Sequence, residues 1–202
     1  MLRLYHHPRS TFSRRVLVAL LEKEIEHETV LVDMAAREHQ QPAYRSINPY
    51  GRVPAIDDEG FVLYESAAIL GYLEATRPQR PLTPADMKGK ALVDMHLRLC
   101  DGQFAGQMRT IIFPTRFLPA ERWNLEAIAQ AKGEIEKHLE MVESILQGRE
   151  YLVGDTFTLA DVAYLPFLHF LPVAEVVPPA AVARWSERLL SRSSAKATIP
   201  DQ

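Results

Sequence analysis

Four short stretches hold residues whose types and positions could do chemistry. Ser10 stands where an apolar run, Leu2 to Tyr5, gives way to the loop His6 to Arg9 and then to a helical pattern. A hydroxyl there sits at a helix start, where unpaired backbone N–H groups and the helix dipole favour negative charge. Thr11 and Ser13 place further hydroxyls one and three positions along. The same residues suit plain capping of the helix, since Ser and Thr are favoured N-caps. At Val53-Pro54 a proline in a tight turn implies a cis bond that leaves the Val53 amide and carbonyl free. Glu65 and Ser66 open another helix, where Ser66 offers a hydroxyl and an amide to a carboxylate. An acid in a first helical turn is also the ordinary mark of a helix start. His39 and Gln40 precede the turn sequence Asn48-Pro-Tyr-Gly51 and read either as polar donors to a ligand or as a solvated helix face.

Other chemistries find little to work with. Among 202 residues Cys100 is the only cysteine, which rules out an internal disulfide, a CxxC redox pair and a cysteine zinc site, and points to a reducing compartment. His6, His7, His96, His138 and His169 show no metal-ligand spacing with acidic or sulfur partners, so no metal is expected. Lys and Arg total 23 against 26 Asp and Glu, and a net charge of −3 gives no general attraction to phosphate backbones or anionic lipid. Neither a nucleic-acid nor a membrane partner is expected. The start, MLRLYHHPRS, lacks the apolar stretch of a signal peptide. Leu159 to Ala183 is interrupted by Asp161, His169, Glu175 and four prolines, too often for a membrane span, and the protein reads as cytoplasmic.

These residues must be positioned by two kinds of element. Leu2 to Tyr5 reads as a strand, Ser13 to Lys23 as an amphipathic helix with Arg14 and Arg15 on its solvent side, and Glu28 to Asp33 as a second strand. A strand, helix, strand series of this length favours a parallel pair with a right-handed crossover. Ala35 to Arg45 is polar and predicts a weak helix. Val53 to Asp57 and Phe61 to Tyr64 flank a turn and predict a hairpin, and Glu65 to Thr76 predicts a helix with Ile69, Leu70 and Leu73 inward. The expected unit, β-α-β-α-β-β-α, closes near residue 78. From there the pattern is helical, with a linker at 79–84 and a second domain over 85–202. Its first helix is expected to start on Thr83 as N-cap with Asp86 at N3. That helix carries two apolar stripes, Leu92, Met95 and Leu99, and Leu97, Cys100, Phe104, Met108 and Ile111. Thr158-Leu-Ala-Asp161 reads as a capping box that opens a buried helix.

Four segments together resemble the cytosolic glutathione S-transferase superfamily. His7-Pro-Arg-Ser-Thr-Phe-Ser-Arg-Arg-Val16 is similar to the active-site segment of the serine classes, phi most of all, with theta and zeta more distant. Asn48-Pro-Tyr-Gly-Arg-Val-Pro54 resembles the family's NP(F/Y)GxVP loop, Glu65-Ser66-Ala-Ala-Ile69 its ESxAI motif, and Thr158 to Asp161 its structural capping box. The resemblance implies an α/β thioredoxin-like N-terminal domain with a mixed four-stranded sheet, followed by an all-α bundle. It implies glutathione as co-substrate, with Ser10 donating to the sulfur and Thr11 and Ser13 as runners-up. Val53, with Pro54, would pair with the cysteinyl backbone, Ser66 with the γ-glutamyl carboxylate and Glu65 with the amino group. His39 and Gln40 fall at the glycine end, where phi enzymes carry a His-Lys pair; Gln40 can donate but supplies no charge, so recognition there would either be weaker or lean on Arg52.

The expected function is therefore activation of the glutathione thiolate for transfer to, or reduction of, a small apolar electrophile, in a homodimer; Tyr50 is expected either to insert into the partner, as the resemblance implies, or to pack on its own domain. Phe104, Met108, Ile111, Ile112 and Phe113 are expected to line the electrophile pocket or to form ordinary core. Two alternatives stand beside this. One is a non-catalytic docking module of the same fold, which retention of Ser10, Glu65 and Ser66 disfavours. The other is a glutathione-dependent isomerase, disfavoured because Phe12 occupies the cysteine position of the zeta serine-serine-cysteine run.

Overall fold

The computed structural model describes residues 1–200, which form two compact units that meet in sequence at Leu82 and Thr83. The first is built on a sheet of four strands, β1 (Leu2–His6), β2 (His27–Leu31), β3 (Ala55–Asp58) and β4 (Phe61–Tyr64), in the order β2-β1-β3-β4. β1 and β2 run parallel in the register Leu4↔Thr29, joined by the crossover helix α1 (Thr11–Glu22). β3 is antiparallel to both β1 and β4. α3 (Ser66–Thr76) packs with α1, so that Val16, Leu20, Ile69 and Leu73 bury against Leu2, Leu4 and Ile56. This is the inward face expected of the helix-period residues, closed over the apolar side of the sheet.

Between β2 and β3 the predicted weak helix is two fragments, a 3₁₀ turn Glu38–Gln40 and a single turn α2 (Pro42–Arg45). Pro42 explains the break: it sets Gln41 in an extended conformation and restarts the helix at N1. Arg14 and Arg15 correct another expectation. Both are buried, at 1% and 0% exposure, and the Arg15 guanidinium lies 4.8 Å over the Phe12 ring. The chain also returns to this unit at its far end. Residues 193–200 pack with the first unit, not with the helical region to which the sequence assigned them, because α9 (Ser193–Lys196) lies on α1 with Ser194 donating to Glu22.

The second unit holds α4 (Met87–Leu99), α5 (Gly106–Phe117), α6 (Leu125–Ile145), α7 (Leu159–Leu168) and α8 (Ala180–Ser191). α4 does not start on Thr83. Its N-cap is Asp86, whose carboxylate accepts the Gly89 amide at 2.9 Å. Asp86 is itself a strong cap, and a Cβ at Gly89 would come within 2.5 Å of Pro84, so that proline folds back beside the helix and does not lead it. α4 and α5 are linked through a π-helical stretch, Cys100–Ala105. The stripe Leu97, Cys100, Phe104, Met108 and Ile111 is core, whereas Leu92 and Met95 are exposed at 45% and 41%. Every residue of α7 is buried. Its capping box forms as expected, with Asp161 also accepting from the Trp185 indole at 2.9 Å and the Leu152 amide at 3.1 Å.

Candidate functional site

The register of the sheet decides where the chemistry-bearing stretches meet. Tyr5 is opposite Ala55, and Ala55 is opposite Tyr64. The residue before β3 is Pro54, the residue after β4 is Glu65, and β1 runs out at His6 towards Ser10. All three junctions therefore lie at one end of the sheet, on neighbouring strands about 4.8 Å apart.

Ser10 is the N-cap of α1, extended at φ −85 and ψ 116, and its Oγ accepts the Ser13 amide at 3.2 Å. The capping reading and the chemical one are compatible in this geometry, because an accepting hydroxyl keeps its O–H to donate. Thr11 is half-buried at the first helical position. Ser13 is 1% exposed, and its Oγ accepts the His7 amide at 3.4 Å, so that hydroxyl serves the turn.

The Val53-Pro54 bond is cis, as the sequence implied. The loop before it is held by side chains: the Arg52 carbonyl accepts both the Tyr44 hydroxyl at 2.8 Å and the Asn48 amide at 2.7 Å, while the Tyr50 amide donates to Asn48 Oδ1 at 3.0 Å. Burial pushes the Tyr44 phenol upward, keeping it a neutral donor. Val53 itself is half-buried and makes no hydrogen bond with any described residue. Its N–H and C=O are thus left at the end of an otherwise fastened loop.

Glu65 is not the first helical residue but the cap position, at φ 70 and ψ 109. That left-sided backbone costs a non-glycine residue on the order of 1–3 kcal/mol, the kind of strain found at ligand-binding sites. It turns the chain so that Ser66, 5% exposed, leads α3 with neither its hydroxyl nor its amide N–H engaged by a described residue. A carboxylate placed there would meet the positive end of an eleven-residue helix.

The His39-Gln40 pair lies against the same loop. Gly51, at φ +59, brings its backbone so close to the His39 carbonyl that a Cβ would sit 2.7 Å from it. Gln40 Nε2 donates to the Gly51 carbonyl at 3.4 Å, and Gln40 Oε1 accepts from Arg45 at 3.1 Å. Arg45, a cation beside the neutral Gln40, was not singled out by sequence reasoning; its place in a short helix after Pro42 was the only signal. The Arg52 side chain is exposed.

Other expected lining residues go elsewhere. Phe104, Met108 and Ile111 are core of the second unit, Phe104 packing on His138, Tyr164 and Phe167, and they have no free surface for a ligand. Ile112 is half-buried, and Phe113 is half-exposed with its ring 5.6 Å from Phe117. Tyr50 is 65% exposed, and its ring stands 5.9 Å from Tyr64. Among the described residues no group of three or more His, Cys, Asp or Glu is placed to hold a metal, and no helix is long and apolar enough to cross a membrane.

A thioredoxin-like sheet with a hydroxyl at the α1 start, a cis-proline loop and an unengaged α3 N-terminus, followed by a helical unit, defines the glutathione S-transferase class. Family profiles agree: the glutathione S-transferase N-terminal domain matches residues 9–76, and the C-terminal domain matches 126–188. The chain belongs to the glutathione S-transferase family, with serine-type, phi-like character. It is 31% identical to a glutathione S-transferase of Silene vulgaris over 98% of this chain and 96% of the relative. It is also 31% identical to glutathione S-transferase F10 of Arabidopsis thaliana, covering 93% of this chain and 94% of that one. The solved glutathione transferase F2 of Populus trichocarpa superposes with a TM-score of 0.90 at 30% identity, over 98% and 97% of the two chains.

Proposed function

We propose that this glutathione transferase binds the tripeptide along the end of its sheet and holds the sulfur as a thiolate on Ser10. The observation that carries the proposal is the Ser10 geometry: the hydroxyl oxygen is occupied by the Ser13 amide, so its hydrogen is the part left to donate. A free thiol ionises near 8.5, and a hydroxyl donor at an electropositive helix start favours the thiolate form. Ser10 acts as donor, not as nucleophile; the attacking atom is the ligand's own sulfur.

The remaining contacts follow the same economy. Val53 N–H and C=O pair with the cysteinyl backbone, as an extra strand partner would. The Ser66 amide and hydroxyl receive the γ-glutamyl carboxylate, and Glu65 faces the amino group. His39 and Gln40 border the glycine end, with Arg52 supplying positive charge. Holding the thiolate and excluding wrong orientations lowers the barrier by proximity and electrostatics, which needs no metal. The second substrate is a small electrophile, and the working form is a homodimer in which Tyr50 inserts into the partner.

Titration calorimetry with glutathione, run on the wild type and Ser10→Ala, tests the assignment. Both should bind, since most of the peptide contacts are elsewhere, while turnover with a model aryl halide should fall by about a hundredfold in the variant. Equal turnover would remove Ser10 from the role, and absence of binding at millimolar glutathione would remove the enzymatic reading altogether.

A further inference from the structure

The turn that carries Ser10 accounts for all its backbone donors in an unusual way. Between His7 and Ser10 there are three N–H groups, Pro8 having none. The Ser10 amide donates to the His7 carbonyl at 2.9 Å, and the His7 amide to Ser13 Oγ at 3.4 Å. The third, the Arg9 amide, donates at 3.2 Å to Nδ1 of the His7 imidazole. A side-chain acceptor taking the amide two residues on is the geometry of an Asx-turn, performed here by a histidine. One residue is thus the anchor for every donor bond in the turn, twice through its backbone and once through its ring.

We propose that His7 is the positioning residue for Ser10, and that its neutral imidazole keeps the turn closed. This rests on the reading of Ser10 as the thiolate donor. The Arg9 N–H occupies the Nδ1 lone pair, so the ring is the tautomer with its hydrogen on Nε2. Protonation places a second hydrogen on Nδ1, opposite the Arg9 N–H, and the bond is lost. Burial and the Arg9 charge hold the ring below the ordinary value of 6.5, Asp33 after β2 acts in the opposite direction, and His6 on β1 is the remaining titratable neighbour. The turn is therefore closed at neutral pH and opens only in acid, on the far side of the ordinary imidazole range.

The test compares wild type, His7→Ala, His7→Asn and Ser10→Ala, each checked for native circular dichroism and for glutathione binding. The readouts are the thiolate titration of bound glutathione, followed by ultraviolet absorbance, and the pH profile of kcat. His7→Ala should lower kcat about tenfold and raise the pKa of the bound thiol, with the glutathione KM changed less than about twofold. His7→Asn should restore most of this, since its amide oxygen reproduces the acceptor without a titrating ring. Wild type should lose kcat in acid more steeply than a single ionisation allows, and His7→Asn should show one ionisation only. Wild-type behaviour in His7→Ala, or failure of His7→Asn to rescue, overturns the proposal while leaving Ser10 in place. Full turnover in Ser10→Ala overturns both.

Discussion

The Ser10 hydroxyl accepts the Ser13 amide at 3.2 Å, and the Ser13 hydroxyl in turn accepts the His7 amide at 3.4 Å. Two serines three residues apart thus fasten the last turn before α1 to its first turn. Each oxygen is committed, but only Ser10 remains partly open to solvent. The Ser10 oxygen holds the turn, and its O–H hydrogen is left to donate.

That division separates variants that a simple cap would not. Ser10→Asp keeps a strong N-cap acceptor, so its stability in urea should lie within about 0.5 kcal/mol of wild type, whereas Ser10→Ala should lose about 1 kcal/mol. An ionised carboxylate has no hydrogen to give the sulfur and repels a thiolate. Turnover of Ser10→Asp should therefore be at least as low as that of Ser10→Ala. High turnover with Asp would mean that capping alone is what the site needs.

A buried ion pair closes the far end of the first unit. Lys23 Nζ, with its side chain at 0% exposure, lies 2.7 Å from Glu74 and 3.2 Å from the Arg80 carbonyl, and Glu74 also accepts the Leu82 amide at 3.0 Å. The segment leaving α3 is thereby tied to the end of α1 and to α3 itself. Glu74→Ala strands the Lys23 charge and should cost about 3–5 kcal/mol in denaturant unfolding. The double replacement Lys23→Met with Glu74→Leu should recover a large part of that loss, and a double variant as unstable as the single one would refute the ion-pair account.

Asp161 does comparable work in the second unit. Burial pushes its carboxyl upward, and hydrogen bonds from Thr158, Trp185 and Leu152 oppose the shift. Asp161→Ala removes the capping box and leaves the buried Trp185 indole without its acceptor. The expected cost is about 3 kcal/mol, accompanied by a change in Trp185 fluorescence. A variant within 1 kcal/mol of wild type, a threshold set roughly by a single net hydrogen bond, would contradict this role.

The same unit should be sensitive to acid. His96 and His138 are 2% and 4% exposed; burial lowers both from 6.5, and His96 lowers His138 further. His138 Nε2 is 3.0 Å from the Tyr164 hydroxyl, while the Nδ1 atoms of both rings are buried without a partner among the described residues. A depressed folded pKa means that the unfolded chain takes up the proton first. Stability is then complete above the unfolded value and falls as pH drops below it, by about 1.4 kcal/mol per pH unit for each histidine until the folded ring titrates. Urea midpoints measured from about pH 7 to about pH 5 should fall less steeply in His138→Gln than in wild type. Parallel slopes would show that His138 is not a source of the acid loss.

Much of the candidate site is legible in the sequence, because its residues stand at junctions. Ser10, Val53-Pro54 and Glu65-Ser66 each lie where a strand or turn meets the next element, and local chemistry marks such places. What stayed hidden depends on partners far along the chain. Arg14 and Arg15 have the pattern of a solvated helix face and are nevertheless buried, since what covers a side chain is not encoded in its own helix. Thr83 and Asp86 are both good cap residues, and the helix takes Asp86, with the Pro84 ring packed back against Gly89. The π-helical stretch, the left-sided backbone of Glu65 and the return of α9 to α1 have no periodic signature at all.

The thiol ionisation of bound glutathione reads the role of Ser10 without intermediaries. With thiolate absorbance followed against pH, the bound thiol should ionise well below the free value of about 8.5 in the wild type and return towards that value in Ser10→Ala. The same lowered pKa in both proteins would show that Ser10 does not hold the sulfur.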